Sequence, residues 1–280
     1  MERLYSPKRL KEVLEKFDFS FSKGLGQNFL IDGNILRKIS ELADLDKTDR
    51  VLEIGTGIGT LTEELCIKAG SVLAVEIDKT LEPILKETLP YENLKIVFDD
   101  ILKIDLKGLI EENFGNQSFK IIANLPYYIT SPIISMLIKS GLKIESITCM
   151  IQRELALRMV EEKGGKNYSS YSVFIQAFTE PKLGVRVPPS VFMPRPKVES
   201  QVISLKLKDR GQDQEFERIV RGAFAQRRKT LVNSLNATCK DFSKEKIISA
   251  LKSLGKEENI RAQDMDYKEF EKLRELLLIK

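Results

Sequence analysis

Apolar runs alternate with amphipathic stretches through the first two thirds of the chain. Residues 50–54 (RVLEI) predict a buried strand ending in glycines, and residues 60–69 a helix. A strand over 71–77, a helix over 80–89 and a strand over 94–98 continue the pattern. Strands over 119–123 and 146–151 follow, with helices over 133–142 and 153–162. Continuous apolar strands separated by helices predict a parallel sheet covered on both faces. Residues 173–178 and 202–208 read as two more strands, antiparallel at one edge. Upstream, residues 7–17 and 32–45 carry apolar positions at helical spacing, with Asp32 as the N-cap of the second helix. The stretch between them, with Gly24 and Gly26, reads as an apolar loop.

Residues 209–214 (DRGQDQ) are polar and read as a linker; from Glu215 onward the pattern is helical with no strand period. The expected architecture is therefore α/β. A Rossmann-like domain spans residues 1–208, N-terminal helix and loop included, and a small all-α domain spans 209–280. A length of 280 residues accommodates one large domain or two.

Composition removes several chemistries. The chain has no histidine, which excludes Ser-His-Asp and Cys-His nucleophiles and histidine-containing zinc sites. Its three cysteines, Cys66, Cys149 and Cys239, are far apart and form no C-x-x-C pair, so no metal and no disulfide framework is expected. A reduced, cytoplasmic setting fits that usage. The N-terminal stretch lacks the apolar core of a signal peptide, and no apolar run approaches the ~18 residues of a membrane span. The net charge of +4 matters only if the positives cluster.

The glycines of Glu53-Ile-Gly-Thr-Gly-Ile-Gly59 let the backbone turn sharply and approach a ligand closely. Their G-x-G-x-G spacing is not the G-x-G-x-x-G of dinucleotide sites, and no Walker lysine follows. Glu76 ends the next strand, where a carboxylate can take ribose hydroxyls, and Asp99-Asp100 ends the third, where one can accept from an adenine amine. Gly55, Gly57, Glu76 and Asp100 thus suit a nucleoside without a pyrophosphate, which describes S-adenosylmethionine.

Asn124-Leu125-Pro126-Tyr127 follows the fourth strand. An adenine N6 lone pair is delocalised into the ring, so its methylation needs acceptors that hold the amine hydrogens rather than a strong base. The Asn124 side-chain oxygen and the Leu125 carbonyl are the candidate acceptors. Tyr127 offers a stacking face, worth ~1–3 kcal/mol per base. Phe192, ahead of Pro194 and Pro196, is the candidate for the other face of the base.

Together these strings resemble the ribosomal RNA adenine N6,N6-dimethyltransferase family over roughly residues 20–235. The resemblance rests on Gly26-Gln-Asn-Phe-Leu30, the glycine loop, Val75-Glu-Ile-Asp78, Asp100, Asn124-Leu-Pro-Tyr127 and Phe192-x-Pro-x-Pro-x-Val-x-Ser200. It implies a Rossmann-like S-adenosylmethionine-dependent methyltransferase domain. It also implies that Asn28 and Leu30 contact the methionine end of the cofactor, with Gly55, Glu76, Asp100 and Asn124 completing the site. Leu25–Leu30, Tyr128-Ile-Thr-Ser-Pro132 and Gly165-Lys-Asn-Tyr168 point to the bacterial small-subunit branch. That branch implies two methyl transfers to each of two adjacent adenosines in the 3′-terminal hairpin loop of 16S rRNA in the 30S subunit.

Between Arg218 and Lys240 the chain carries Arg218, Arg221, Arg227, Arg228, Lys229 and Lys240 and no acidic residue. Arg221, Arg227, Arg228 and Lys229 are the expected phosphate contacts to RNA, with Lys8, Arg9, Lys11 and Lys23 as a second possible path. A monomer is expected. Competing readings are a large-subunit adenine methyltransferase of the erythromycin-resistance type, a non-catalytic ribosome-assembly or RNA-binding factor, and a small-molecule methyltransferase. The intact Asn124–Tyr127 string weighs against the second, and the basic helical appendage against the third.

Overall fold

The computed structural model describes residues 2–279, except for the side chain of Lys23, so that possible RNA contact lies outside the described residues. The chain divides into two compact units, residues 1–156 with 182–207 and residues 157–181 with 208–280.

The first unit opens with α1 (Pro7–Lys16), β1 (Phe29–Leu30) and α2 (Gly33–Leu42). Asp32 caps α2 as expected, its carboxylate accepting from the N–H groups of Asn34 and Ile35. Then come β2 (Arg50–Ile54), α3 (Thr60–Lys68), β3 (Ser71–Glu76), α4 (Glu82–Thr88) and β4 (Leu94–Phe98). After these follow α5 (Leu106–Phe114), β5 (Phe119–Asn124), α6 (Thr130–Lys139), β6 (Ile144–Gln152) and α7 (Arg153–Val160). Next are α8 (Ser170–Phe178), β7 (Thr179–Val187), β8 (Phe192–Met193) and β9 (Ser200–Leu207). The main sheet has the strand order β4-β3-β2-β5-β6-β9-β7. β2 pairs in parallel with both β3 and β5, while β9 lies antiparallel to β6.

This order fixes where a ligand can sit. From β2 the chain winds outward through β3 and β4, then returns to place β5 on the other side of β2. The winding reverses between β2 and β5, and open α/β sheets bind ligands in the crevice at the carboxyl ends of such strands. Gly55 follows β2 and Leu125 follows β5, so the two strings singled out above converge there. One apolar cluster, including Leu36, Ile39, Val51, Leu65 and Val202, packs one face. Another, including Leu10, Ile58, Leu81 and Leu85 with Phe29, secures the N-terminal segment.

Several elements differ from the sequence expectations, among them the short strands β1 and β8, which pair where loops were expected. Residues 173–178 are helical, within α8. Ser169 caps that helix through a reciprocal pair with Ser172, and Val173, Phe174, Ile175, Ala177 and Phe178 are buried. An apolar run this short has no period that separates buried strand from buried helix. α5 and β7 were not foreseen: α5 is only weakly amphipathic, and the exposed positions of β7 hide its strand pattern.

The second unit holds α8 and, after the linker, α9 (Gln214–Phe224), α10 (Leu231–Thr238), α11 (Lys244–Ser253) and α12 (Tyr267–Leu278). Residues 157–181 group with the C-terminal helices. Tyr168 is fully buried and donates its hydroxyl to the Met265 carbonyl at 3.0 Å, and the Gly164 N–H donates to the Gln263 carbonyl at 2.8 Å. Lys163 pairs with Asp266 and Glu269. These partners lie about a hundred residues apart, a separation at which local patterning carries no information.

Candidate active site

An open cleft lies at the carboxyl ends of β2, β3 and β5. Its wall includes Asn28, Leu30, Gly55, Gly57, Glu76, Asp100, Asn124, Leu125 and Tyr127.

The glycine loop forms one side. Gly55 and Gly57 have φ of 78° and 52°, the left-handed region that side chains rarely adopt. A Cβ on Gly57 would stand 2.9 Å from the Phe29 ring, whereas a Cβ on Gly55 would meet nothing closer than the Asn124 carbonyl oxygen at 4.0 Å. Gly57 therefore packs against the N-terminal segment, while Gly55 presents bare backbone to a ligand.

Glu76 is 5% exposed and ends β3. One carboxylate oxygen accepts from the Gly57 N–H and the Thr56 hydroxyl, both at 3.0 Å, and the other from the Asp78 N–H at 2.9 Å. Three of its roughly four acceptor positions are thus used. One ribose hydroxyl can be taken directly, and a second when the Thr56 hydroxyl turns away. The Asp100 carboxyl is held below the usual range by the Leu102 N–H, then by Lys103. It is an ionised acceptor at the same cleft, just past the end of β4.

Asn124 ends β5 and donates its side-chain nitrogen to the Asn28 carbonyl at 3.1 Å. Among the described residues, no donor reaches the Asn124 side-chain oxygen or the Leu125 carbonyl. The Leu125 N–H is already spent on the Met150 carbonyl, at 3.2 Å. Two unengaged acceptors therefore stand side by side at the cleft. Tyr127 is partly buried with its hydroxyl 2.6 Å from that of Ser200, and burial raises its pKa, so the phenol stays neutral.

Phe192, the residue expected at the other face of the base, sits in the short strand β8. It is 2% exposed, lies in β8 opposite Leu30 and is absent from the cleft wall. Its ring belongs to the apolar core beneath the N-terminal segment. An aromatic residue before two prolines suits a buried edge strand as well as a presented loop.

Glu53, beneath the glycine loop, is fully buried, and neither carboxylate oxygen has a hydrogen-bond partner among the described residues. Burial pushes its carboxyl up to about 8, and the nearby Glu76 carboxylate adds to the shift. No group of His, Cys, Asp or Glu side chains suited to a metal ion occurs among the described residues, and no helix among them is long and apolar enough to cross a membrane.

The basic run lies in the second unit. Arg218 is engaged twice, by Glu215 at 2.7 Å and Asp241 at 2.6 Å, and these hydrogen bonds raise its pKa. Arg221 is exposed and lies 3.7 Å from Glu217. Arg227, Arg228 and Lys229 are exposed in the turn between α9 and α10, not within a continuous helix. Gly222 lets α10 approach α9, since a Cβ there would stand 2.6 Å from the Thr238 hydroxyl. Arg227 and Lys229 line a small cavity with Arg261, a residue that sits inconspicuously in a stretch of mixed charge. No acidic side chain lines that cavity. Thr56, Ser200 and Gln27 lie within the quoted strings, but the role of each rests on a partner brought near only by the fold.

The ribosomal RNA adenine dimethylase family model matches residues 18–275. The small-subunit methyltransferase A of Alkaliphilus oremlandii ("Ribosomal RNA small subunit methyltransferase A") is 45% identical, the match covering 96% of each chain. The protein of the same description from Geobacillus kaustophilus is 44% identical over 97% of this chain and 96% of its own. Among solved structures, a dimethyladenosine transferase from Plasmodium falciparum shares 28% identity over 88% of this chain and 95% of its own, with a TM-score of 0.77. The 23S rRNA methyltransferase ErmE shares 25% identity over 89% and 99%, with a TM-score of 0.69. A match of this extent, on a fold whose ligand crevice gathers both the glycine loop and Asn124–Tyr127, means that the chain belongs to the ribosomal RNA adenine dimethylase family.

Proposed function

We propose that the chain dimethylates the N6 amines of two adjacent adenosines in the 3′-terminal hairpin loop of 16S rRNA, acting as a monomer on the 30S subunit in the cytoplasm with S-adenosylmethionine as donor. The observation that carries the chemistry is the pair of unengaged acceptors, the Asn124 side-chain oxygen and the Leu125 carbonyl, at the mouth of β5. Held by both, the two N6 hydrogens draw the nitrogen toward tetrahedral geometry and free its lone pair. Oriented groups of this kind are worth ~10²–10³ in rate.

Gly55, Glu76 and Asp100 suit the donor: open backbone, a ribose acceptor and an ionised acceptor at successive strand ends. Bound there, S-adenosylmethionine supplies an electrophilic methyl group, so no strong base is needed and the absence of histidine is no obstacle. Asn28 and Leu30 border the same cleft and suit the methionine end. The neutral Tyr127 ring gives the base a stacking face. Phe192 has no part in this reading except to pack Leu30. Arg221, Arg227, Arg228 and Lys229 bind RNA phosphates, and Arg261 joins them.

The test is to incubate the protein with labelled S-adenosylmethionine and either 30S or 50S subunits lacking the modification, then map the label. Label on two adjacent 30S adenosines is expected. Label on 50S would favour the large-subunit reading that the likeness to ErmE keeps open, and no label on either would overturn the enzymatic one.

A further inference from the structure

We infer that Gln27 is a positioning residue that couples the cofactor's ribose carboxylate to the catalytic amide of Asn124. The inference rests on the functional reading above. Gln27 is half-buried in the N-terminal segment, and both ends of its side-chain amide are engaged. The oxygen accepts from the Ser22 N–H at 2.8 Å, and the nitrogen donates to Asp78 at 2.6 Å. Asp78 in turn donates its own N–H to Glu76 at 2.9 Å, while its second oxygen takes the Thr80 N–H and hydroxyl. One residue further along, the Asn28 carbonyl accepts from Asn124.

Consecutive residues of one segment thus tie to the two halves of the cleft. Gln27 is fixed to the acidic end of β3, and Asn28 fixes the amide at the end of β5. A carbonyl can hold an amide only where its own peptide stands; that of Asn28 is fixed on one side by the pairing of Phe29 and Leu30 with β8 and on the other by the anchor of Gln27, so the rotamer of Asn124 depends on both. Asn28 adds a local brace, its side-chain nitrogen donating to the Gly26 carbonyl at 2.8 Å, while among the described residues the Gln27–Asp78 hydrogen bond ties this segment to the turn that follows β3. Loss of that bond should impair both cofactor affinity and the methyl-transfer rate at saturating cofactor.

Two variants test this. Gln27→Ala removes both bonds at every pH. Gln27→Glu keeps the shape but sets a carboxyl against Asp78, with Glu76 the next charge along the same path. Facing carboxyls retain a shared proton to higher pH than isolated ones, so the bond to Asp78 is kept at low pH and lost at high pH. Cofactor affinity is measured by calorimetry, and single-turnover methylation of unmodified 30S at saturating cofactor between about pH 6 and 8.5, each as a ratio to wild type. Gln27→Ala should lose on the order of tenfold in both quantities, the scale of one hydrogen bond to a charged group. Gln27→Glu should match it at the upper end of that range and regain most of the loss at the lower end. A flat ratio for Gln27→Glu, or weakened affinity with an unchanged rate, would overturn the coupling. If Gln27→Ala does not fold, the pH ratio of Gln27→Glu still decides. A wild type that leaves 30S unlabelled would instead refute the functional reading.

Discussion

Asn124 and Asn28, 96 residues apart, are joined by a single hydrogen bond from the Asn124 side-chain nitrogen to the Asn28 carbonyl, 3.1 Å long. A carbonyl oxygen can only accept, so the nitrogen must face it and the amide oxygen must face away. The resting fold therefore already holds the amide in the orientation that the proposed role of Asn124 in N6 methylation calls for.

Asn124→Ala should lose ~10²–10³ in single-turnover rate while keeping its fold. Asn124→Asp is nearly isosteric, yet its carboxylate has no hydrogen to give Asn28, so it should lose activity to a comparable degree. Rates on unmodified 30S, with circular dichroism to check folding, provide the test; an active Asn124→Asp would show that the Asn28 bond does not set the geometry.

Glu53 should make stability depend on pH. Its folded-state carboxyl is pushed up to about 8, whereas in the unfolded chain it ionises near the usual 4.5. Between those values the folded protein holds a proton that the unfolded chain has released, so stability falls as pH rises, by up to about 1.4 kcal/mol per pH unit. Glu53→Gln should remove most of that slope. Urea unfolding of both proteins at several pH values between those two limits measures it, and parallel slopes would mean that Glu53 is ionised in place.

Phe192 should behave as a core residue. Phe192→Ala should cost about 3–5 kcal/mol of stability, the range for emptying a buried aromatic site. Phe192→Leu should cost much less and retain turnover within a few-fold. A Phe192→Leu protein of unchanged stability that has lost a hundredfold in rate would put the ring on the base after all.

The basic turn should govern salt dependence rather than chemistry. Replacing Arg227, Arg228, Lys229 or Arg261 with Ala should flatten the log–log salt slope of 30S binding by about 0.7–0.9 for each phosphate left unneutralised. Cofactor affinity should stay unchanged. Arg218→Ala, by contrast, should leave the slope alone and lower stability, since that side chain is already paired with Glu215 and Asp241. Binding measured at several salt concentrations separates the two outcomes.

The alternating apolar strands and helices, the glycine spacing, the carboxylates at strand ends and Asn124–Tyr127 were all legible in the sequence. Each is a local pattern: a period, a turn or a short string whose chemistry follows from its own residues. Tertiary structure decided what depends on a distant partner. It made 173–178 a helix, because a short apolar run is compatible with either form until its neighbours pack around it. It buried Phe192 opposite Leu30 and withdrew Arg218 into ion pairs. It brought Arg261 beside Arg227 and Lys229. Above all it turned the Asn124 amide, since Asn28 reaches it only after the chain has crossed from β2 to β4 and back to β5. A sequence states which donors and acceptors exist; which of them meet is set by how the sheet is wound, and that is a property of the whole core.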